Sequence, residues 1–240
     1  MGTERDGYVR LNVEDGTTMA AYVARPGGGG RHPGIMVFQE AFGVNGHIRD
    51  VTDRFARAGY TAIAPELYHR TGPGFEGSHA EFESTRTHSS VVNNAHLEAD
   101  IRAAFGWLQN DTGTEARRIV STGYCMGGRV SFIANSIVPV TASASFYGAG
   151  IAPGNLDRVG RVHAPMLFFW GGLDKHIGPD VISAVTGAFR AAGKPYINVE
   201  ISDADHGFFC DARASYNRKA AAESWSLVLA FFRENGGVSA

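Results

Sequence analysis

The residues best suited to chemistry stand in one short run, Gly123-Tyr124-Cys125-Met126-Gly127-Gly128. A thiol with glycine two places before and two places after it has the pattern G-x-nucleophile-x-G. The spacing has a mechanical reason. A nucleophile presented on a sharp strand-to-helix turn brings the backbones on either side close together, and glycine removes the Cβ atoms that would collide there. Apolar, β-branched Ile119 and Val120 precede the turn, and the helix-compatible Val130, Phe132, Ile133 and Ala134 follow it. The partial positive charge at the start of that helix favours thiolate at Cys125. The chemistry expected is attack of sulfur on an acyl carbon.

Such a thiol needs a base and an acid that orients the base. Asp174 follows Gly171-Gly172-Leu173 just past an apolar run, and His206 lies in Asp203-Ala204-Asp205-His206-Gly207-Phe208 just past another. The order Cys125, Asp174, His206 puts each member after a separate strand. Asp205 is the rival acid, placed second because it adjoins His206. Asp203-x-Asp205-His206 also suggests a metal, but no partner cluster with ligand spacing accompanies it, so a structural turn and no metal are expected. The oxyanion formed on attack requires backbone N–H donors, expected from Met126, the residue after the nucleophile, and from Ala41, after an early strand.

These residues must be held by strands and helices in alternation. Residues 19–24, 34–39, 60–64, 118–122, 142–147, 165–170 and 196–201 read as short apolar strands. Leu97, Ile101, Ala104, Phe105 and Leu108 form one helical stripe, and Trp225, Val228, Leu229 and Phe232 form another. Helices are also expected around Phe55 and Ala56, stopped by Gly59, and over residues 180–191, ended by Gly193. Buried strands separated by helices predict an α/β fold with a mostly parallel sheet covered on both faces, whose ligand edge lies at the strand ends. Residues 68–94 are polar and weakly periodic and read as a lid or substrate-binding loop over the site.

Bulk composition narrows the function classes. The chain has 240 residues, 44% hydrophobic and 19% charged, without a break in character, which predicts one globular domain over 1–240. A formal net charge of −2 gives no basic field for a nucleic acid. No apolar run approaches the ~20 residues that span a bilayer, so no membrane partner is expected. The polar start, residues 1–6, lacks the apolar stretch of a secretory leader. Two cysteines, Cys125 and Cys210, make no disulfide framework, and a cytoplasmic setting is expected.

Taken together, Gly123–Gly128, Gln39-Glu40-Ala41-Phe42-Gly43-Val44-Asn45, Asp174 after two glycines, and Asp205-His206-Gly207-Phe208 resemble the dienelactone hydrolase family of the α/β-hydrolase superfamily. The resemblance runs from about residue 35 to about residue 210. It implies a cofactor-free monomer that cleaves a small-molecule ester or lactone through a thioester on Cys125. It also implies that Glu40 takes part in activating the thiol and that Tyr147 stands on the substrate side. The sequence departs from the family where that family grips its substrate carboxylate with two arginines. Cys210 occupies one of those positions, as a packing or substrate-lining thiol, and only Arg86 is placed for the other. A guanidinium clamp has no thiol equivalent, so a less charged ester or lactone is expected. Three other readings stand beside this one. A thioesterase or acyltransferase could use the same trio, and a binding protein could keep the fold without turnover. A redox thiol is disfavoured by the lack of a C-x-x-C pair.

Overall fold

The structure, a computed structural model, describes residues 7–79 and 82–236, apart from the side chain of Phe82; the polar start at residues 1–6 lies outside them. Two compact units divide the chain, Met1–Ile119 and Val120–Ala240.

In the first unit β1 (Tyr8–Asn12) and β2 (Thr18–Ala24) pair antiparallel, and β2 pairs antiparallel with β4 (Thr61–Pro65). Strand β3 (His32–Phe38) runs parallel to β4. Both β3 and β4 are almost wholly buried, as their unbroken apolar character requires. Helix α1 (Gly46–Arg57) starts at Asn45, whose side chain accepts the N–H of Ile48 at 3.2 Å. Ile48, Val51 and Phe55 then recur at spacings of three and four and are fully buried. The stripe expected from Leu97 to Leu108 is the buried face of α3 (Asn94–Asn110), which Asn93 caps by accepting the N–H of His96.

Residues 68–94 depart from the loop that was expected. They contain helix α2 (Phe82–Ser89), whose run of Ser, Thr, Arg and His offers no apolar stripe to announce it. The preceding residues are tied down by polar contacts. Asp100, fully buried on α3, holds the Arg70 guanidinium through two hydrogen bonds of 2.9 and 3.0 Å and His69 through a third of 3.0 Å. A carboxylate removed from water is tolerated only with such complete pairing.

In the second unit β5 (Thr114–Tyr124, which begins in the first), β6 (Ala142–Phe146), β7 (Met166–Gly171) and β8 (Tyr196–Ile201) lie side by side and parallel. Helix α4 (Met126–Ile137) follows β5, α5 (Pro179–Ala191) follows β7, and α6 (Arg218–Gly236) closes the chain. The α/β class and the mostly parallel strands are those the sequence predicts. Parallel strands bring their C-terminal ends to one edge, so the segments after Tyr124, Phe146, Gly171 and Ile201 emerge together. Among the described residues no helix is long and apolar enough to cross a membrane.

Candidate active site

Cys125 occupies the turn between β5 and α4 with φ 54° and ψ −117°, a conformation that L residues rarely adopt. The bend is held from both sides. The N–H of Cys125 donates to the Phe146 carbonyl at 3.0 Å, and the Cys125 carbonyl accepts the N–H of Gly128 at 3.0 Å. Gly123 does what its spacing implied, and Gly128 adds a second close approach. A Cβ at Gly123 would run into the Gly127 carbonyl, and one at Gly128 would lie 2.7 Å from the Cα of Gly148. Cys125 is partly exposed, and Met126 after it is the first residue of α4.

The other two members are delivered by a close backbone approach. A Cβ at Gly171 would meet the Ala204 carbonyl at 2.6 Å, and one at Gly172 the Cα of Ser202 at 2.7 Å. Two glycines after β7 therefore let its loop lie directly against the loop after β8. Leu173 N–H donates across this seam to the Ala204 carbonyl at 2.9 Å. The result is a hydrogen bond of 2.7 Å between His206 Nδ1 and Asp174 Oδ2. The second oxygen, Oδ1, accepts the backbone N–H groups of His176 at 2.7 Å and Ile177 at 3.1 Å. Asp205 makes a different contact: Oδ1 accepts the main-chain N–H of His206 at 2.6 Å, so Asp174 serves the ring and Asp205 the backbone.

His206 also hydrogen-bonds Cys125 with its side chain. Burial alone would drive this imidazole toward neutrality, but its bonds and charge interactions with Asp174 and Cys125 outweigh that and push it up to about 10. Burial raises Asp174 in the same way, and the His206 bond and the two backbone N–H donors overcome it, leaving the carboxyl below its ordinary range. His206 thus interacts with Asp174 on one side and with Cys125 as well.

Tyr147 follows β6 with a φ of 37° and is fully buried. Its ring lies 5.0 Å from the His206 ring and 5.3 Å from Phe208. Cys210 is fully buried, its N–H donating to the Gly207 carbonyl at 3.0 Å. No sequence motif marks His176, an exposed residue whose ring stands edge-on to His206 with centroids 5.6 Å apart at 81°.

Three of the residues singled out belong to the first unit. Glu40 follows β3, is fully buried, and has Oε2 3.8 Å from Nε2 of His79, whose ring packs 4.5 Å from Phe42. Ala41 lies beside it, its carbonyl accepting the Tyr68 hydroxyl at 3.1 Å. Arg86 sits on α2, strongly exposed and paired with Glu83 at 3.2 Å. His79 and Tyr68 come from the polar stretch after β4, and no motif marks either of them.

Comparison with known proteins places the chain in a family. The pattern of the "Dienelactone hydrolase family" matches residues 19–236. The chain belongs to the dienelactone hydrolase family. A Synechocystis protein named "Putative carboxymethylenebutenolidase" is 37% identical over 227 residues, covering 90% of this chain and 91% of its own length. A protein of the same name from Methylorubrum extorquens is 34% identical, covering 96% of this chain and 81% of that one. A solved structure titled "Putative Dienelactone Hydrolase", from Klebsiella pneumoniae, has a TM-score of 0.86 and 33% identity over 95% of this chain and 98% of its own. As a dienelactone hydrolase family member with an α/β-hydrolase fold, the chain is a carboxylic ester hydrolase.

Proposed function

We propose that Cys125 is the nucleophile of this dienelactone hydrolase-like enzyme, acting with His206 and Asp174 on a small ester or lactone through a thioester. The observation that carries this is the 2.7 Å hydrogen bond between His206 Nδ1 and Asp174 Oδ2, together with the interaction of the His206 side chain with Cys125, a partly exposed residue on a strained turn.

Sulfur attacks the acyl carbon as thiolate, and the carbonyl electrons move onto oxygen. The N–H groups of Met126 and Ala41 are assigned to that oxyanion, each donor being worth about 2.7–4 kcal/mol in comparable sites. The tetrahedral species collapses, the C–O bond breaks, and imidazolium His206 gives its proton to the departing alkoxide. The acyl group is now a thioester on Cys125. Water attacks it while neutral His206 takes the proton; the second tetrahedral species collapses, the C–S bond breaks with its electrons returning to sulfur, and carboxylic acid is released. Asp174 fixes the imidazole tautomer and balances its charge throughout. Glu40 is assigned to activation of the thiol, and Tyr147 to the substrate side.

A neutral or weakly charged substrate fits the two positions where a carboxylate clamp is missing. Cys210 is buried, and Arg86 is solvated and already paired with Glu83. The setting proposed is a cytoplasmic monomer of one domain.

The test is a short nitrophenyl ester, with intact-mass analysis of the quenched enzyme. An acyl adduct on Cys125 is expected, together with a loss of roughly a thousandfold or more in kcat for Cys125→Ala. An unchanged rate in that variant would remove the sulfur from the mechanism. Product analysis with added alcohols separates hydrolysis from acyl transfer.

A further inference from the structure

The loop that delivers Asp174 also carries a second imidazole to the site, and nothing in the catalytic scheme uses it. His176 lies two residues beyond Asp174, and its backbone N–H is committed to Asp174 Oδ1 at 2.7 Å. That bond fixes where its side chain starts. The ring then meets the His206 ring edge to face, with centroids 5.6 Å apart at 81°. Tyr147 also packs on His206, with centroids 5.0 Å apart, but it is fully buried whereas His176 is exposed. His206 keeps only 8% of its surface open.

We propose that His176 is a positioning residue, an outer aromatic wall that holds the His206 ring between Asp174 and Cys125 and keeps water off it. The inference rests on the Cys125–His206–Asp174 reading and adds to it a residue that no substrate atom need touch. An imidazole that must give a proton to one atom and take one from another loses rate when it can swing. Near-attack geometry is lost with displacements of an ångström. Nδ1 is anchored at one point by Asp174, which leaves rotation about that bond to be limited by the rings packed against it. An aromatic ring of any charge serves this purpose, which separates a wall from a proton relay.

The experiment compares His176→Ala, His176→Gln and His176→Phe in the full chain on a short nitrophenyl ester. It also measures the rate at which iodoacetamide alkylates Cys125, read by mass spectrometry. Alanine and glutamine are expected to lower kcat by roughly three- to tenfold with KM within about twofold, and phenylalanine to restore most of it. Alkylation should follow the same order, because it reports how the sulfur reacts beside His206 without needing turnover. A glutamine variant with wild-type kcat and alkylation rate overturns the proposal, as does a phenylalanine variant no better than alanine. Cys125→Ala is run beside them. Should it retain hydrolysis, the nucleophile assignment falls, while the alkylation series still judges His176 on its own.

Discussion

Asp174 and His206 are joined by a hydrogen bond of 2.7 Å from Nδ1 to Oδ2, while the remaining oxygen of Asp174 is occupied by two backbone N–H groups. The carboxylate therefore has no rotational freedom of its own, and it fixes the imidazole at one point, Nδ1. One ring nitrogen is spoken for, and Cys125 is the ring's other side-chain hydrogen-bond partner.

Asp174→Asn keeps the shape of this contact and changes its sense. An amide can offer its own N–H to Nδ1, which selects the tautomer with the proton on the sulfur-facing nitrogen. The expected result is a fall in kcat of roughly a thousandfold or more with little change in fold. Steady-state kinetics beside a circular dichroism spectrum would check it, and a loss below tenfold would contradict the arrangement.

The pH response follows from His206. Its folded value stands near 10, above the ordinary 6.5. A group raised in this way binds its proton more tightly when folded, so its contribution to stability is whole below about pH 6.5. That contribution drains away as pH rises toward 10. Melting temperatures of wild type and His206→Gln, measured from pH 6 to 10.5, should converge at the alkaline end. Divergence there would show that His206 is neutral in the folded enzyme.

Two glycines give opposite outcomes on substitution. At Gly123 a Cβ would strike the Gly127 carbonyl, which is backbone and cannot turn aside, whereas at Gly106 in α3 nothing lies within 4 Å. Gly123→Ala is expected to destabilise by about 1–3 kcal/mol and to reduce activity. Gly106→Ala is expected to stabilise by about 0.5–1 kcal/mol through helix propensity. Urea denaturation of the two variants would read both signs in one experiment.

Arg86 provides a check on substrate charge. Its guanidinium is exposed and salt-bridged to Glu83, a pairing worth little in water. Arg86→Ala should change kcat/KM for a neutral nitrophenyl ester by less than about twofold. Efficient turnover of dienelactone that collapses in this variant would instead make Arg86 a carboxylate anchor.

Much of this was legible in the chain because the chemistry is tied to strand ends. Cys125 and Asp174 follow apolar runs and His206 follows an alternating one, and the glycines at 123, 171 and 172 mark places where backbones touch. The elements that escaped notice are those with little apolar signal. Tyr8–Asn12 is only five residues, with Arg and Asn among them, and Phe82–Ser89 has almost no apolar face. His79 and His176 were invisible for another reason. Each acquires its meaning from a neighbour distant in sequence, Glu40 in one case and His206 in the other, and no local pattern encodes that meeting. Asp205 shows the same limit. Only the geometry reveals that it accepts a main-chain N–H instead of serving the ring.

The perch of Cys125 is made by main-chain atoms alone: its own N–H reaches Phe146, its carbonyl receives Gly128, and the turn is shaped by residues lacking side chains. Nothing in that scaffold senses whether the tip is sulfur or oxygen. Exchange of the thiol for a hydroxyl leaves the platform intact and alters only the reagent mounted on it. A serine placed there would meet the same main-chain hydrogen bonds that hold Cys125.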